Sequence, residues 1–277
     1  MHPTDTPRPM RPPQRPAPVR RYRRPFATLR TVTALMLREM ATTYGRSPGG
    51  FLWVVLEPVA GVALLSAIFS LAVRTPALGS SFPLYYATGF VPFFGFLTLQ
   101  TKIAASLPFS KPLLAYPSVT WIDAMIARFV LNWLADVLVA VIVFGGILLL
   151  FEPRSIIHYP TVFSAMVMLG ALAFGVGAMN CYLFLRVPLW QRAFAIAMRP
   201  MFFLSCVFFL FESMPQPYRD WLWWNPLVHV VGLMRRGFYA SYEAAYVSPL
   251  YVYGLSALLA AFALLLLRSS YRDLLDR

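Results

Sequence analysis

Charged side chains inside long apolar segments are the residues of this 277-residue chain that could do chemistry. Glu57 and Asp136 are carboxylates within such segments, and Arg128 and Arg199 lie near segment ends. An ion buried in hydrocarbon costs at least ~2.5 kcal/mol even on lenient scales, so it either pairs to fix packing or lines a polar pathway. Both interpretations stay open for Glu57, which could pair with Arg199 or Arg128. The sequence indicates no partner for Asp136.

Arginines and aromatic rings form a second candidate site. The predicted cytoplasmic ends of three apolar segments carry Arg46, Arg186, Arg192 and Arg199. If those segments adjoin, the guanidinium groups form a vestibule suited to forked contacts with phosphate. The alternative is the ordinary excess of positive charge on the cytoplasmic side. Rings crowd the second and fifth apolar segments, where they could pack on the apolar faces of sugars or simply against lipid and protein.

Known catalytic motifs are missing from the sequence. It has no GxxxxGK[ST] phosphate loop, no HExxH, no paired CxxC and no GxSxG, and its three histidines are scattered. We therefore predict no metal site, no nucleophilic catalysis and no cofactor held by this chain. If ATP drives transport, the ATPase must be another chain.

The composition predicts an all-α polytopic membrane protein. Hydrophobic residues make up 59% of the chain, charged residues make up 13%, and the mean hydropathy is +0.63. Six segments reach, or nearly reach, the length that crosses ~30 Å of hydrocarbon. These predicted spans are Phe51–Val73, Leu84–Thr101, Ala124–Phe151, Thr161–Leu185, Phe194–Phe211 and Val247–Leu267.

The placement of charge predicts topology rather than nucleic-acid binding. The net charge is +13, but ten of the 24 Lys and Arg residues lie before residue 47, and most others flank apolar segments. With a cytoplasmic N-terminus, 19 of the 24 fall inside and five fall outside. We therefore predict that both termini are cytoplasmic.

The N-terminal region divides into a tail and a helix. Residues 1–25 hold eight of the 24 prolines and seven arginines, which predicts a disordered cytoplasmic tail before a membrane domain over 26–277. Thr28–Tyr44 has the pattern of an amphipathic helix at the membrane interface, with Leu29 and Val32 on its apolar side and Glu39 off that side. The alternative is a soluble helix packed on a partner.

Two connections between the predicted spans are unusual. The inner loop Lys102–Asp123 is half apolar but carries three prolines, which favours a short helix seated in a groove of another protein. The outer segment Glu212–Tyr246 has three tryptophans beside Asn225-Pro226 and an apolar run too short to cross. It is typical of an interfacial or re-entrant helix pair.

Taken in order, these features resemble the permease subunit of type-2 ABC transporters that export capsular polysaccharide. The resemblance covers about residues 28–277 and rests on the amphipathic helix, GRSPGGFLWVVLEP at Gly45–Pro58, the inner loop, and NPLVHVVGLMRRGFY at Asn225–Tyr239. It implies a homodimer in the bacterial inner membrane, bound to two ABC ATPase chains that hold ATP and Mg. The implied cargo is a lipid-linked acidic polysaccharide, passed to periplasmic adaptor and outer-membrane export proteins.

The resemblance also implies roles for individual residues. The substrate path and vestibule would include Arg46, Phe51, Trp53, Glu57, Arg186, Arg192, Arg199, Phe202 and Phe203. Coupling to the ATPase would involve Leu107, Pro108, Lys111, Leu113, Leu114 and Tyr116. The periplasmic gate would involve Trp223, Trp224, Asn225, Pro226, His229 and Arg235. Two alternatives stay open: a permease for O-antigen, teichoic acid or another lipid-linked cargo, and a membrane-embedded glycan-modifying enzyme.

Overall fold

The computed structural model describes residues 27–44, 50–114, 116, 119–151 and 156–275. Every regular element in those ranges is helical, which confirms the all-α prediction. A π-helical turn, Met40–Tyr44, continues the first helix, and a 3₁₀ turn, Phe211–Ser213, precedes the eighth. The helices are α1 (Ala27–Glu39), α2 (Gly50–Ala72), α3 (Phe82–Ala104), α4 (Ser106–Leu114), α5 (Trp121–Phe151), α6 (Tyr159–Arg186), α7 (Pro188–Leu204), α8 (Tyr218–Trp223), α9 (Pro226–Phe238) and α10 (Pro249–Leu275). The tail predicted over residues 1–25 lies outside the described residues.

Within the described residues, five helices, α2, α3, α5, α6 and α10, are long and apolar enough to cross a membrane. Large apolar side chains lie on their outer surfaces, such as Leu71 (90% exposed) and Leu149 (82% exposed), as expected where lipid is the solvent. α6 packs against α3, α9 and α10. Gly175 permits the close approach of α10, because a β-carbon there would lie 2.5 Å from the carbonyl oxygen of Ser256.

Contacts between helix termini define two ends of the bundle. At the first end, Asn180 of α6 donates a hydrogen bond to Gln100 of α3, so these two helices finish together, next to α4. At the second end, the backbone N–H of His158 before α6 donates to the carbonyl of Gly237 in α9. We call these the α4 end and the α9 end.

α7 differs from the span predicted over Phe194–Phe211. It begins earlier, has 17 residues, and is not among the helices long and apolar enough to cross by themselves. It stops before Cys206, whose φ of 58° is a left-handed conformation that an α-helix cannot continue through. The predicted count of six spans is therefore not confirmed, and a crossing by α7 stays a prediction.

α7 nevertheless connects the two ends of the bundle. Near its start, Trp190 Nε1 donates to Asn180 Oδ1 at the α4 end, at 3.0 Å. At its finish, the Leu204 carbonyl accepts from Asn225 Nδ2 at the α9 end, also at 3.0 Å. A helix of 17 residues is roughly 25 Å long, so α7 covers most of the distance that the longer helices cover.

The short helices predicted outside the spans are present. α1 packs on α5, α4 occupies the inner loop, and α8 and α9 form a helical pair before α10. Glu39, which the sequence sets off the apolar side of α1, is 2% exposed, whereas Leu29 on that apolar side is 61% exposed. The reason is tertiary, because Arg128 of α5 offers Glu39 a buried partner.

Candidate functional site

A groove between α3 and α7 brings aromatic rings together with polar groups. It encloses 550 Å³. Its rings are Phe93, Phe184, Phe194 and Phe202; its polar side chains are Gln100, Thr101, Gln191 and Arg199. We call it the aromatic groove. Mostly apolar walls with a few placed polar groups are the usual make-up of a ligand site, and here the charge is positive.

The predicted path residues separate in the structure. Arg199 and Phe202 line the aromatic groove. Phe203 is 59% exposed, and Trp53 on α2 is 65% exposed; neither lines the groove. Glu57 lines a different cavity, described below. Trp53 and Glu57 of α2 therefore do not line the groove that Arg199 and Phe202 of α7 line.

The predicted arginine vestibule is described for three of its four members. Arg186 ends α6, Arg192 lies in the first turns of α7, and both are exposed near the α4 end. Arg199 lies two turns further along α7, in the groove. Arg46 and the side chain of Phe51 lie outside the described part of the structure. Of the three described arginines, Arg199 lines the groove, while Arg186 and Arg192 lie closer to the α4 end.

A second cavity, of 180 Å³, lies between α2, α3 and α5 and carries carboxylates. Glu57, Asp136 and Lys102 line it, together with Thr98 and Asn132. We call it the acidic cavity. Its α3 residues differ from those of the aromatic groove, so α3 separates a site with a positive side chain from a site with two carboxylates.

A row of polar side chains supports the α4 end of the aromatic groove. Trp190 donates to Asn180, and Asn180 Nδ2 donates to Gln100 Oε1 at 3.2 Å. Gln100 Nε2 in turn donates to the Thr101 hydroxyl at 2.8 Å. The row links α7, α6 and α3 and fixes the amide of Gln100 where it lines the groove.

Arg128 connects three helices at the α4 end. Its Nε donates to Glu39 Oε1 of α1 at 3.1 Å, and its Nη1 donates to the Ala105 carbonyl between α3 and α4 at 2.9 Å. Its guanidinium carbon lies 4.1 Å from the centre of the Phe109 ring of α4. The pairing of Glu57 with Arg128 is therefore not observed, because Arg128 is buried against Glu39.

The residues expected to contact the ATPase occupy different environments in and after α4. Leu107 is fully buried in the core of this chain. Leu113 and Leu114 are half-buried, and the exposed members of the set are Pro108, Lys111 and Tyr116. The exposed residues can reach another chain, whereas Leu107 can only hold α4 against the bundle.

Asn225 joins the start of α9 to the end of α7. Its Oδ1 accepts from the Leu227 backbone N–H at 3.0 Å, which makes it the N-cap of α9, and Pro226 takes the first helical position. Its Nδ2 donates to the Leu204 carbonyl at 3.0 Å. One amide therefore satisfies the orphan groups of two helix ends.

Arg235 holds the non-helical segment that follows α7. It is fully buried, and its Nη1 and Nη2 donate to the carbonyls of Phe209 and Val207, at 2.9 and 3.0 Å. Its guanidinium carbon lies 4.7 Å from the centre of the Tyr85 ring. Together with Asn225, it ties the end of α7 to α9, so these elements are positioned as one unit.

His229 is buried in a defined protonation state between α8, α9 and the start of α10. The Ser248 backbone N–H donates to Nδ1 at 3.1 Å, so Nδ1 carries no proton; Nε2 lies 2.8 Å from the Trp223 carbonyl and donates to it. Burial lowers the pKa of the imidazole below its ordinary value. Trp224, in contrast, is 66% exposed. Among the residues predicted to form the periplasmic gate, His229 is therefore buried and hydrogen-bonded, whereas Trp224 presents an exposed ring.

Sequence reasoning missed Glu39 and the amides around the groove. Gln100 and Asn180 are uncharged polar residues within apolar segments, Gln191 lies just before another such segment, and a search for charges and motifs passes over all three. The signal that could have found them was their polarity, which is unusual in segments that lipid surrounds. Nothing local indicated the role of Glu39, because its partner Arg128 is 89 positions away.

The fold and these sites define a class: a multi-pass helical membrane permease with an interface helix, an inner-loop helix and a helical pair before its last long helix. Residues 30–239 match the ABC-2 type transporter family, and the chain belongs to that family. It is accordingly a transport subunit rather than an enzyme, and membership implies an ATPase partner on another chain.

Relatives of known name agree with this assignment. The chain is 32% identical over 222 residues to the polysialic acid transport protein KpsM of Escherichia coli, covering 80% of this chain and 86% of the relative. It is 25% identical over 240 residues to the capsule polysaccharide export inner-membrane protein CtrC of Neisseria meningitidis, covering 85% and 89%. It is 22% identical over 223 residues to the capsule polysaccharide export inner-membrane protein BexB of Haemophilus influenzae, covering 79% and 83%.

Proposed function

We propose that this protein is the permease subunit of an ATP-driven exporter that moves lipid-linked capsular polysaccharide from the cytoplasm to the periplasm across a bacterial inner membrane. The names of its relatives support the cargo class. The observation that carries the proposal is the aromatic groove: flat rings suit the apolar faces of sugars, and Arg199 suits an acidic sugar or a lipid phosphate.

A homodimer completes the path. α7 buries none of its residues within one chain, and α2 exposes Trp53, Leu56 and Leu64. Helices with so little covered surface in the monomer are suited to facing a second copy, and Arg199 and Phe202 then border the space between the two copies. Two permease copies would bind two ATPase chains, which hold ATP and Mg.

The α4 end is the cytoplasmic end in this proposal. The excess of Lys and Arg on that side of the chain supports it, as do the exposed Pro108, Lys111 and Tyr116 of the inner loop, which suit contact with an ATPase. Both termini are then cytoplasmic. Periplasmic adaptor and outer-membrane export proteins would receive the polymer at the α9 end.

The geometry supports a mechanism in which α4 transmits the ATPase movement. ATP binding would close the ATPase dimer and displace α4, whose Phe109 ring lies under the guanidinium of Arg128. Arg128 would pass the displacement to α1 through Glu39 and to α5 through its own backbone. α2 and α7 would then shift around the polymer, a two-state change driven by a ligand on the partner.

Reconstitution tests the cargo directly. The permease and its ATPase would be placed in lipid vesicles and given a lipid-linked acidic capsular polysaccharide, a lipid-linked O-antigen, or a lipid-linked teichoic acid. We expect the capsular polymer to stimulate ATP hydrolysis and to enter the vesicles. Arg199→Gln should reduce both effects, while Arg219→Gln, at the α9 end, should not. Stimulation by another cargo alone would contradict the proposal.

A further inference from the structure

We propose that the acidic cavity is a binding site for one monovalent cation, either a proton or an alkali-metal ion. The site lies on the opposite side of α3 from the aromatic groove. The inference goes beyond export of a polymer, and it does not depend on which cargo the protein carries.

Asp136 is the residue that requires a ligand. It lies midway along α5, a long apolar helix, and its Oδ2 is buried without a hydrogen bond from any described residue. A buried carboxylate oxygen that is neither paired nor hydrogen-bonded costs several kcal/mol, so such a group binds a proton, an ion or water. Gly95 of α3 lies opposite, and a β-carbon there would be 3.9 Å from Oδ2, so α3 approaches the carboxylate closely at this position.

Uncharged oxygen atoms complete a coordinating set. Val54 and Pro58 of α2 both line the cavity, and because proline has no N–H, the Val54 carbonyl lacks its usual helical donor. The Thr98 hydroxyl donates to carbonyls of its own helix, which leaves its lone pairs available. Asn132 uses its Nδ2 toward Glu39 and toward its own helix, which leaves its Oδ1 as the group it can offer. Carboxylate, carbonyl and hydroxyl oxygens are the ligands that hard cations prefer.

The charge balance selects a single positive charge. The charged groups lining the cavity are Glu57 from α2, Lys102 from α3 and Asp136 from α5, and their formal sum is −1. α6 contributes Met166 only. Below the cavity, Glu39 and Arg128 neutralise each other. A monovalent cation therefore brings the cavity to neutrality, whereas a divalent cation or an acidic sugar would not. A space of 180 Å³ also holds several water molecules around the ion.

A cation bound in the acidic cavity would hold α2 against the rest of the bundle. Glu57 and Pro58 are on α2, the candidate span with the smallest buried share, while the other carboxylate, Asp136, is on α5. An empty cavity leaves carboxylates facing each other across this interface, and a bound cation bridges them. Cation binding and the position of α2 should consequently depend on each other.

Thermal unfolding of the permease–ATPase complex in lipid nanodiscs tests the site. The melting temperature would be measured in sodium, potassium and choline chloride at equal ionic strength, at several pH values. If the ligand is an alkali ion, we expect the melting temperature of the wild type to rise with the concentration of that ion until it saturates. If the ligand is a proton, the melting temperature should instead depend on pH in choline chloride alone. Asp136→Asn should remove the dependence, and Glu57→Gln should weaken the apparent affinity by about tenfold. Glu243→Gln, an exposed carboxylate at the α9 end, should leave it unchanged.

The outcomes are separable. A melting temperature that depends on an alkali ion at fixed pH identifies a metal ion as the ligand. A melting temperature that depends on pH alone identifies a proton, provided that the infrared spectrum shows a protonated carboxyl band that disappears in Asp136→Asn. Should Asp136→Asn fail to fold, Lys102→Gln serves instead, since the loss of a positive charge from the cavity should strengthen the dependence. Identical dependence in wild type, Glu57→Gln and Lys102→Gln, or no dependence at all, would overturn the proposal. Transport assays are not involved, so this result and the test of cargo are independent.

Discussion

Arg128 Nε lies 3.1 Å from Glu39 Oε1, and the two buried side chains join the interface helix α1 to the start of the long helix α5. Asn132, one turn along α5, donates to the same carboxylate oxygen at 3.3 Å. The pair also sits against α4 through Phe109. A buried ion pair is weak support for stability in general, but breaking one by removing a single partner leaves an uncompensated charge.

Removing one member of this pair should destabilise the permease. Arg128→Met leaves Glu39 buried without a counter-charge, so we expect a loss of about 3–5 kcal/mol in the free energy of unfolding. The double variant Arg128→Met with Glu39→Gln should recover part of that loss. Thermal or denaturant unfolding of the purified complex measures both. Arg30→Gln, exposed on α1, serves as control, and equal losses in the single and double variants would contradict the ion-pair account.

Residues of the inner loop should separate into two functional groups. Leu107→Ala removes a fully buried side chain and should cost the permease about 2–5 kcal/mol. Pro108→Ala combined with Tyr116→Ala changes exposed positions, so the permease should keep its stability while it binds the ATPase less well. Co-purification and unfolding measurements distinguish these effects. Deletion of residues 108–117 should abolish association; binding that survives it would remove the coupling role of α4.

Arg199 should contribute more to cargo recognition than Arg192. Both belong to the predicted vestibule, but only Arg199 lines the aromatic groove. Arg199→Gln removes one charge-assisted hydrogen bond to the cargo, which is worth about 1.5 kcal/mol. The cargo concentration that gives half-maximal stimulation of ATP hydrolysis should therefore rise roughly tenfold. Arg192→Gln should give a smaller rise, and the double variant the largest. A larger effect of Arg192→Gln would place recognition outside the groove.

Asn225 should hold α7 and α9 together through its amide group. Asn225→Ala loses the N-cap and the bond to Leu204, whereas Asn225→Ser keeps a capping hydroxyl and loses only the reach to Leu204. We expect Asn225→Ala to lower stability by about 0.5–2 kcal/mol and Asn225→Ser by less. If both variants nevertheless reduce export equally, the link to α7 is what transport requires. Export at the wild-type level in Asn225→Ser would show that the link is dispensable.

His229 should make the α9 end sensitive to acid. Burial holds its folded-state pKa below the unfolded value of about 6.5, so its contribution to stability is complete above that pH and declines as the pH falls toward the folded pKa. Protonation at Nδ1 would also break the bond from Ser248. Unfolding measured across this range should show stability falling with acid in wild type and a flatter profile in His229→Gln. Parallel profiles would assign the acid sensitivity to other groups.

Hydrophobic patterning predicted the helices well, and tertiary context decided where one of them ends. α5 and α6 are long, uninterrupted apolar segments. In lipid, only a helix pairs all the backbone N–H and C=O groups of such a segment, so the presence of these helices followed from composition. α7 was predicted to start six residues and to end seven residues too late, because its apolar run continues past Leu204. The chain leaves the helix there since Asn225 and Arg235 supply donors for its carbonyls.

The candidate site was only partly predictable for a related reason. Arg199 and Phe202 were selected from sequence and line the groove, while Gln100 entered only through its contact with Asn180. Asp136 was recognised as a buried carboxylate without a partner, but its neighbours Glu57 and Lys102 come from other helices. Spacing along one helix carries no information about which faces of different helices meet.

The sequence by itself determined that this protein is a helical membrane protein, because the number and length of its apolar segments leave few alternatives for a backbone surrounded by hydrocarbon. It also showed that positive charge is concentrated before residue 47 and beside the apolar segments, and that the sequence has no phosphate loop. Tertiary structure decided that Arg128 pairs with Glu39, that Glu57 and Asp136 line the same cavity, and that α3 divides this acidic cavity from an aromatic groove. Those choices depend on packing between helices distant in the chain, where the low polarity of the surroundings makes each charge select a specific neighbour.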